Sequence, residues 1–304
     1  MPERIKVGRR AIEVSNPNKL MFPDDGITKR DLIDYYLKIA DLMLPEIKGR
    51  LLTMERFPNG IDGKRFYQKD MSDYFPDWMD RMTVPKQGGG RVTHVVANDK
   101  AALGYLANQA CITLHMSLSR KDSIDHPDQM IFDLDPSGDD FAEIRHAALD
   151  LKDVLDDLGL HSVVKTSGSR GLHVTIPLDR KENFKSVRRF ARTLAGHFAE
   201  QSPDRLTIEA RKEKRQGRIF VDWLRNSNGA TAVAPFGVRA RPGAPVAMPV
   251  RWDEVRSSRL SPGRYVMKDV LKGLATREDP WKGWRRKARS LKEPGRRLER
   301  LISG

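Results

Sequence analysis

Asp133 and Asp135 stand one residue apart in Ile131-Phe132-Asp133-Leu134-Asp135-Pro136, at the end of an apolar run that reads as a buried strand. Side chains alternate faces along a strand, so the two carboxylates project to the same side. Like charges that close repel and raise each other's pKa unless a cation lies between them, and Mg2+ and Mn2+ are the usual occupants of carboxylate sites. The competing reading is a surface strand with two solvated acids. The apolar Met130-Ile131-Phe132 before the pair and the loop signal Pro136-Ser137-Gly138 after it put the acids at the mouth of a strand, which favours a metal site.

Ser167-Gly168-Ser169-Arg170-Gly171-Leu172-His173 supplies the complementary chemistry. Two glycines allow a sharp turn and close approach to a ligand, two hydroxyls and Arg170 supply donors, and His173 lies just inside the following strand. The spacing is not that of a Walker loop, and a plain Gly/Ser hairpin with a stray arginine is the competing reading. Asp222, in Ile219-Phe220-Val221-Asp222-Trp223, ends another apolar strand. Alone it is a turn former or an ion-pair partner. With Asp133 and Asp135 it makes three carboxylates, enough for two divalent ions whose shells are completed by phosphate oxygens and water. Arg215, Arg225, Arg239 and Arg241 surround it in sequence, and guanidiniums beside a cluster of acids suit a polyphosphate lying between them.

The elements that must hold these groups are legible in outline. Residues 1–15 alternate loosely as one or two strands, and Thr28-Lys29-Arg30-Asp31 has the form of a capping box, opening an amphipathic helix expected to end at Pro45. Lys19 and Lys29 flank the loop 21–27, with Lys29 in the first helical turn, where an anion is favoured; ordinary surface charge is the competing reading. Strands are expected at 51–57, 65–69 and 92–96, a turn at Pro58-Asn59-Gly60, a flexible loop at Gln87-Gly88-Gly89-Gly90, a helix from Asp99 to about Asn108, and an apolar run at 110–114 before His115. From Met130 the order reads β-α-β-β-α-β-β-β: helices at about 140–158 and 183–200, and strands at 161–166, 172–177, 206–210, 218–223 and 231–236. It begins like the split βαβ arrangement of an antiparallel sheet with helices on one face.

At 304 residues the chain can hold one large or two modest domains. It lacks an apolar run of membrane length and opens without a signal-peptide pattern, so a location inside the cell and no membrane partner are expected. The single cysteine, Cys111, sits in an apolar run and reads as a small core residue; no internal disulfide or thiolate zinc cluster can form. The net charge of +14 points to a polyanionic partner, nucleic acid first. The last 24 residues carry nine Lys/Arg against two Glu, half of that surplus, and read as a basic tail or linker.

Asp133-Leu134-Asp135-Pro136, the stretch from Ser167 to His173, Phe220-Val221-Asp222-Trp223 and Ala234-Pro235-Phe236-Gly237-Val238-Arg239, in that order and spacing, resemble the polymerase domain of bacterial ligase D. The resemblance runs from Asn16-Pro17-Asn18-Lys19 to the region of Trp252. It implies an α/β (α+β) chain with the archaeo-eukaryotic primase fold: a mixed N-terminal module over about 1–115, an RRM-like antiparallel catalytic module over 116–250, a C-terminal wrap over 251–280, and the tail 281–304. The implied activity is template-directed nucleotidyl transfer onto a 3′-hydroxyl at a broken DNA end in non-homologous end joining, with NTPs preferred over dNTPs and two Mn2+ or Mg2+ ions. By the match, Asp133, Asp135 and Asp222 are the catalytic metal ligands. Ser167, Arg170, His173 and Arg239 grip the triphosphate with Arg215 and Arg225 nearby, His115 lies near the incoming sugar, and Phe66 stacks on a base. Asn16, Lys19 and Lys29 bind the 5′-phosphate of the downstream strand. Ku and a DNA ligase are the implied partners and the bacterial cytoplasm at the nucleoid the implied location; the oligomeric state, monomer or a dimer across the break, stays open.

Ala230 departs from the family pattern, which often has Lys there, so a phosphate or template contact at that position is in doubt. Two rivals stay open at this level. Asp133-x-Asp135-x-Ser137 imitates the nucleophile motif of a haloacid-dehalogenase-like phosphatase, with Asp133 as nucleophile on a Rossmann-like sheet. A non-catalytic DNA-end-binding module accounts for the charge but not for three strand-end acids.

Overall fold

The alternation of the first residues forms a hairpin, β1 (Glu3–Val7) with β2 (Arg10–Val14). The structure is a computed structural model describing residues 3–86, 88–273 and 277–303; Met1, Pro2 and Gln87, the first residue of the expected glycine loop, lie outside the described residues. The chain forms two units, one of Met1–Asp122, Thr231–Ala247 and Tyr265–Arg277, the other of Ser123–Ala230, Met248–Arg264 and Glu278–Gly304. The sequence reading runs each module contiguously, whereas here the chain passes back and forth between the units.

In the first unit a small ribbon, β3 (Leu20–Phe22) with β4 (Ile27–Thr28), leads into α1 (Lys29–Ile47). The Thr28 hydroxyl accepts from the Asp31 N–H and the Asp31 carboxylate accepts from the Thr28 N–H, a capping box that satisfies the helix start. Leu32, Tyr35, Tyr36, Ile39 and Met43 form the buried face. The helix runs past Pro45 to Ile47, because a proline in the last turn removes only one intrahelical hydrogen bond. The tyrosine hydroxyls donate to backbone carbonyls, Tyr35 to Phe236 at 2.7 Å and Tyr36 to Ile112 at 2.6 Å, tying the helix to the sheet beneath. That sheet is built from β5 (Leu52–Arg56), β6 (Phe66–Gln68), β7 (Arg81–Pro85), β8 (Arg91–Val95) and, after α2 (Lys100–Asn108), β9 (Cys111–Ser117). The strand β7 escaped sequence reading because its side chains are half-buried or exposed throughout and it carries no apolar run.

The second unit begins with β10 (Gln129–Asp135), followed by α3 (Phe141–Asp157), β11 (Val163–Thr166), β12 (Leu172–Pro177), α4 (Phe184–Glu200), β13 (Leu206–Thr207) and β14 (Ile219–Asp222). Asp140 caps α3 and Asn183 caps α4 through side-chain oxygens. The central strands lie in the order β14-β10-β12-β11, all antiparallel neighbours, which is the expected split βαβ arrangement. The acidic strand β10 is thus flanked by antiparallel partners on both sides, which removes the Rossmann-like sheet that the phosphatase reading requires.

Two expectations change. Residues 231–236 were expected to complete the catalytic strand set; β15 (Thr231–Val233) instead pairs antiparallel with β9 in the first unit, and β16 (Pro249–Val250) closes the catalytic sheet beside β11. A three-residue apolar strand suits either sheet edge, so its pattern does not choose. The expected strand 206–210 shortens to β13, which pairs parallel with β14. Beyond α5 (Trp252–Arg256) and α6 (Met267–Gly273), the basic terminal segment is folded. Trp281 and Trp284 are buried with Val163, the Trp281 indole N–H donates to the Val164 carbonyl at 3.0 Å, and α7 (Lys292–Ser303) buries Pro294 and Leu298.

Candidate active site

Register carries the site of the second unit. Asp133 pairs with Asp222 across β10 and β14 and with His173 across β10 and β12, and His173 pairs with Lys165 across β12 and β11. Directly opposed residues share a sheet face, so Asp222, Asp133, His173 and Lys165 form one row across four strands, with Asp135 two residues along on the same side. All four members of the row are buried, Lys165 completely. The buried Asn226 clamps β10 at Ile131, accepting its N–H at 2.8 Å and donating to its carbonyl at 2.7 Å.

Arg225 bridges the acids, its Nη2 lying 3.5 Å from Asp133 Oδ2 and its Nε 3.2 Å from Asp222 Oδ2. Arg215 Nη1 lies 3.4 Å from Asp135 Oδ2, and the rest of its guanidinium donates to the Glu209 and Ala210 carbonyls. Buried and anchored over the Phe220 ring, Arg215 supports Asp135. His173 Nε2 is 3.4 Å from Asp133 Oδ1. Among the described residues no three His, Cys, Asp or Glu side chains close around a point where a metal ion could sit; the arginines take the carboxylates.

The electrostatics of the row are uneven. Burial pushes the Asp133 carboxyl up, but His173, Arg225 and Lys165 outweigh it and hold the group well below the usual carboxylate range. Burial, with Lys165 and Arg225 adding to it and Asp133 opposing, pushes His173 down to about 4, so its imidazole is neutral at pH 7. Asp222 goes the other way: burial, opposed by Arg225 and reinforced by repulsion from Asp133 and Asp135, pushes it up to about 6. The site is short of positive charge at Asp222, and a divalent cation is the group that would correct this.

The hairpin beside the row folds around Ser167, whose hydroxyl oxygen accepts from the Ser169 and Gly171 N–H groups at 3.2 and 3.1 Å. Gly171 is required by close approach, since a Cβ there would lie 2.2 Å from the Leu134 carbonyl oxygen. Arg170 is half-exposed, with Nη1 3.8 Å from Asp139.

The first unit holds the remaining expected residues. His115, on β9, has Nε2 3.6 Å from Glu55 Oε2, and the Tyr67 ring stands edge-on to it. Phe66 is exposed with the Arg56 guanidinium over its ring, and the charge of Arg239 acts on Glu55. Asn16 adopts a left-handed φ of 51° and its carbonyl accepts from the Lys19 N–H, so it shapes the turn that carries Lys19. Lys19 Nζ donates to the Pro58 carbonyl at 2.9 Å, and the buried Lys29 Nζ donates to the Ser15 carbonyl at 2.6 Å. Burial, then the charges of Lys19 and Arg56, lower the Lys29 pKa, so three cations gather here. Because the capping box takes the Thr28 and Asp31 N–H groups and the Lys19 and Pro17 carbonyls take those of Lys29 and Arg30, attraction of an anion rests on these side chains and not on free N–H groups. Sequence reading missed Lys165, Glu55 and Asn226; the first two had a signal, Lys165 as a lone charge inside the apolar strand 163–166 and Glu55 as an acid following the apolar run 51–54.

The antiparallel sheet with its row of strand-end acids and serine hairpin is that of a primase-type polymerase. The polymerase domain from Mycobacterium tuberculosis Ligase D, solved in complex with DNA, matches this fold with a TM-score of 0.85 and 31% identity, over 91% of this chain and 99% of that one. A family model described as LigD, primase-polymerase domain, matches residues 28–281, and the chain belongs to that family. The multifunctional non-homologous end joining protein LigD of Mycolicibacterium smegmatis is 32% identical over 257 residues, 84% of this chain and 34% of that protein. The bifunctional non-homologous end joining protein LigD of Bacillus subtilis is 31% identical over 262 residues, 86% of this chain and 42% of that protein. The chain therefore spans about a third to two fifths of the length of these relatives.

Proposed function

We propose that this primase-polymerase chain extends DNA ends by template-directed nucleotidyl transfer during non-homologous end joining, preferring NTPs to dNTPs. The observation that carries the proposal is the row Asp222, Asp133 and His173 on one sheet face, with Asp222 raised to about 6 by burial and its acidic neighbours. Asp133, Asp135 and Asp222 would hold two ions, Mn2+ or Mg2+, which when bound supply Lewis-acid stabilisation of the attacking and leaving oxygens. The protein's own residues do the rest. Arg225, now spanning two carboxylates, turns toward phosphate oxygens as the triphosphate enters, and Arg170 and Arg239 add charge where negative charge develops. The neutral His173 imidazole, buried against Asp133, keeps that carboxylate oriented and ionised. The hairpin from Ser167 to Gly171 packs its backbone against the acidic strand and lines the phosphate path.

In this reading His115 meets the incoming sugar, Phe66 stacks on a base, and Asn16, Lys19 and Lys29 take the 5′-phosphate of the downstream strand. Ku and a DNA ligase are the partners, and the bacterial nucleoid is the place of action. The test is extension of a recessed primer opposite a 5′-phosphorylated downstream strand, with Mn2+ and either NTPs or dNTPs. Extension that vanishes in Asp222→Ala supports the proposal. No extension by clean wild-type protein, or equal extension by the variant, refutes it.

A further inference from the structure

The two long helices of the second unit dress their outer faces in opposite ways. On α3 acids and bases are mixed and answer one another: Lys152 meets Asp156, and Glu143 and Asp150 meet Arg205. Helix α4 carries no acid between Asn183 and Ala199. Its exposed Lys185, Arg188, Arg189 and Arg192 are spaced i, i+3, i+4 and i+7, which gathers all four cations into one stripe about 10 Å long. Like charges at these spacings repel, so the stripe weakens the helix where mixed charges would support it. Among the described residues none of the four makes an ion pair with an acid. Their support is aromatic: the guanidiniums of Arg188 and Arg192 stand 4.9 and 5.5 Å from the centre of the Trp223 ring. Such contacts hold a guanidinium in place without consuming its N–H donors, and both arginines remain exposed. On one flank Arg189 shares a cleft of about 450 Å³ with Lys292 and Arg296 of α7. Two acids line the same cleft, Glu299 and Glu182, and Glu182 already accepts from the Ser290 hydroxyl and the Leu291 N–H.

We propose that this stripe, with Lys292 and Arg296 beside it, is a second nucleic-acid contact that grips the phosphate backbone of duplex DNA without reading base sequence. Each strand of a duplex carries one phosphate per about 3.4 Å of axis, so a stripe of this length faces about three of them. Three of the four cations are arginines, whose planar fork matches phosphate oxygens. Guanidiniums pinned at fixed separations suit a regularly charged backbone, whereas a flexible acidic peptide gains little from them. The surface uses none of the residues of the polymerase reading, so the two stand or fall separately.

The experiment measures binding of the full chain to a blunt duplex with 5′-hydroxyl ends across a salt series. It compares wild type, Lys185→Ala/Arg189→Ala and Lys100→Ala/Lys272→Ala; the second pair removes the same net charge from cations already paired with Asp41 and Asp269. The stripe variant is expected to bind about tenfold more weakly and to lower the slope of log affinity against log salt by about 2, while the control keeps the wild-type slope. Its thermal midpoint should equal or exceed that of wild type, because alanine relieves the repulsion along the helix. An unchanged slope in the stripe variant, or an equal loss in the control, would overturn the inference. Weaker binding of a poly-glutamate peptide with no loss for the duplex would assign the stripe to an acidic protein partner and overturn it as well. A wild type that binds duplex through the stripe yet extends no primer would leave this inference standing and remove the polymerase reading.

Discussion

The two sheets each bury a polar cluster on one face, and the clusters handle charge in opposite ways. In the second unit three carboxylates converge, Arg225 and Arg215 answer them at 3.2–3.5 Å, and Asp222 is still pushed up to about 6. In the first unit a single carboxylate, Glu55, is more buried than any of the three, yet its pKa falls because His115, Tyr67 and Arg239 outweigh burial. An acid raised by its neighbours marks a place short of positive charge; an acid lowered by them marks one where the charge is already met. The first arrangement suits recruitment of cations from solution, the second suits holding neutral donors and acceptors in fixed orientation.

The comparison breaks most visibly on activity. Asp133→Ala and Asp222→Ala each remove an anion from the frustrated row, and each is expected to cut primer extension by more than the roughly 10–100-fold typical of losing a residue that merely supports a metal ligand. Residual extension within about tenfold of wild type in Asp222→Ala, measured at saturating Mn2+, would remove the row from the chemistry.

Stability should move in the opposite direction. The folded-state pKa of Asp222 is raised from 3.8 to about 6 by burial and repulsion, so the folded state holds that proton more tightly than the unfolded chain does. Its stabilising contribution is full below about 3.8 and is lost as the pH rises through about 6. Replacing the ionised acid by its neutral isostere is therefore expected to stabilise the metal-free protein at pH 8, by at most about 3 kcal/mol. Urea titrations of wild type and Asp222→Asn at pH 4.5 and pH 8 check this: the gain should grow with pH, and added Mn2+ should raise wild-type stability more than that of the variant. A gain independent of pH would assign the effect to packing.

Gly171→Ala tests the frame in place of the charges. The new methyl would meet the Leu134 carbonyl oxygen at 2.2 Å, a backbone atom that cannot swing aside, so β10 and the hairpin must separate. A loss of about 1–3 kcal/mol is expected in the same titration, as for other overpacked sites. Ser169, half-buried, bonds the Ser167 hydroxyl through its backbone N–H, which alanine keeps, so Ser169→Ala should be tolerated in the same assay.

How much of this was legible follows from which quantities are local. Strand alternation put Asp133 and Asp135 on one side, and the capping box at Thr28 and Asp31 marked the start of α1, because both depend on neighbours in sequence. That Asp222 stands directly across from Asp133 is a matter of register between strands almost ninety residues apart, which periodicity does not encode. The same limit misassigned residues 231–236, a short strand whose partner is β9. Charge misdirected the reading of the terminal segment, where nine basic residues drew attention away from Trp281 and Trp284, the two side chains that dock it. Lys165 and Glu55 were visible as charges inside apolar strands, but without register neither had a partner to give it meaning.

The smallest expected effect concerns the three cations of the first unit, where the excess is positive and no carboxylate is among the causes of the shift at Lys29. Lys29 gives its proton donors to Ser15, and Lys19 gives one to Pro58, so neither is locked in an ion pair, and each can exchange a neutral acceptor for a phosphate oxygen. Lys29→Ala is expected to weaken binding to gapped DNA bearing a 5′-phosphate about tenfold, the scale of one charged hydrogen bond. It should also lower the slope of log affinity against log salt by about 1. DNA with a 5′-hydroxyl should bind wild type and variant alike. If the variant loses affinity equally for both ends, the cation cluster acts as general positive charge and not as a site for the 5′-phosphate.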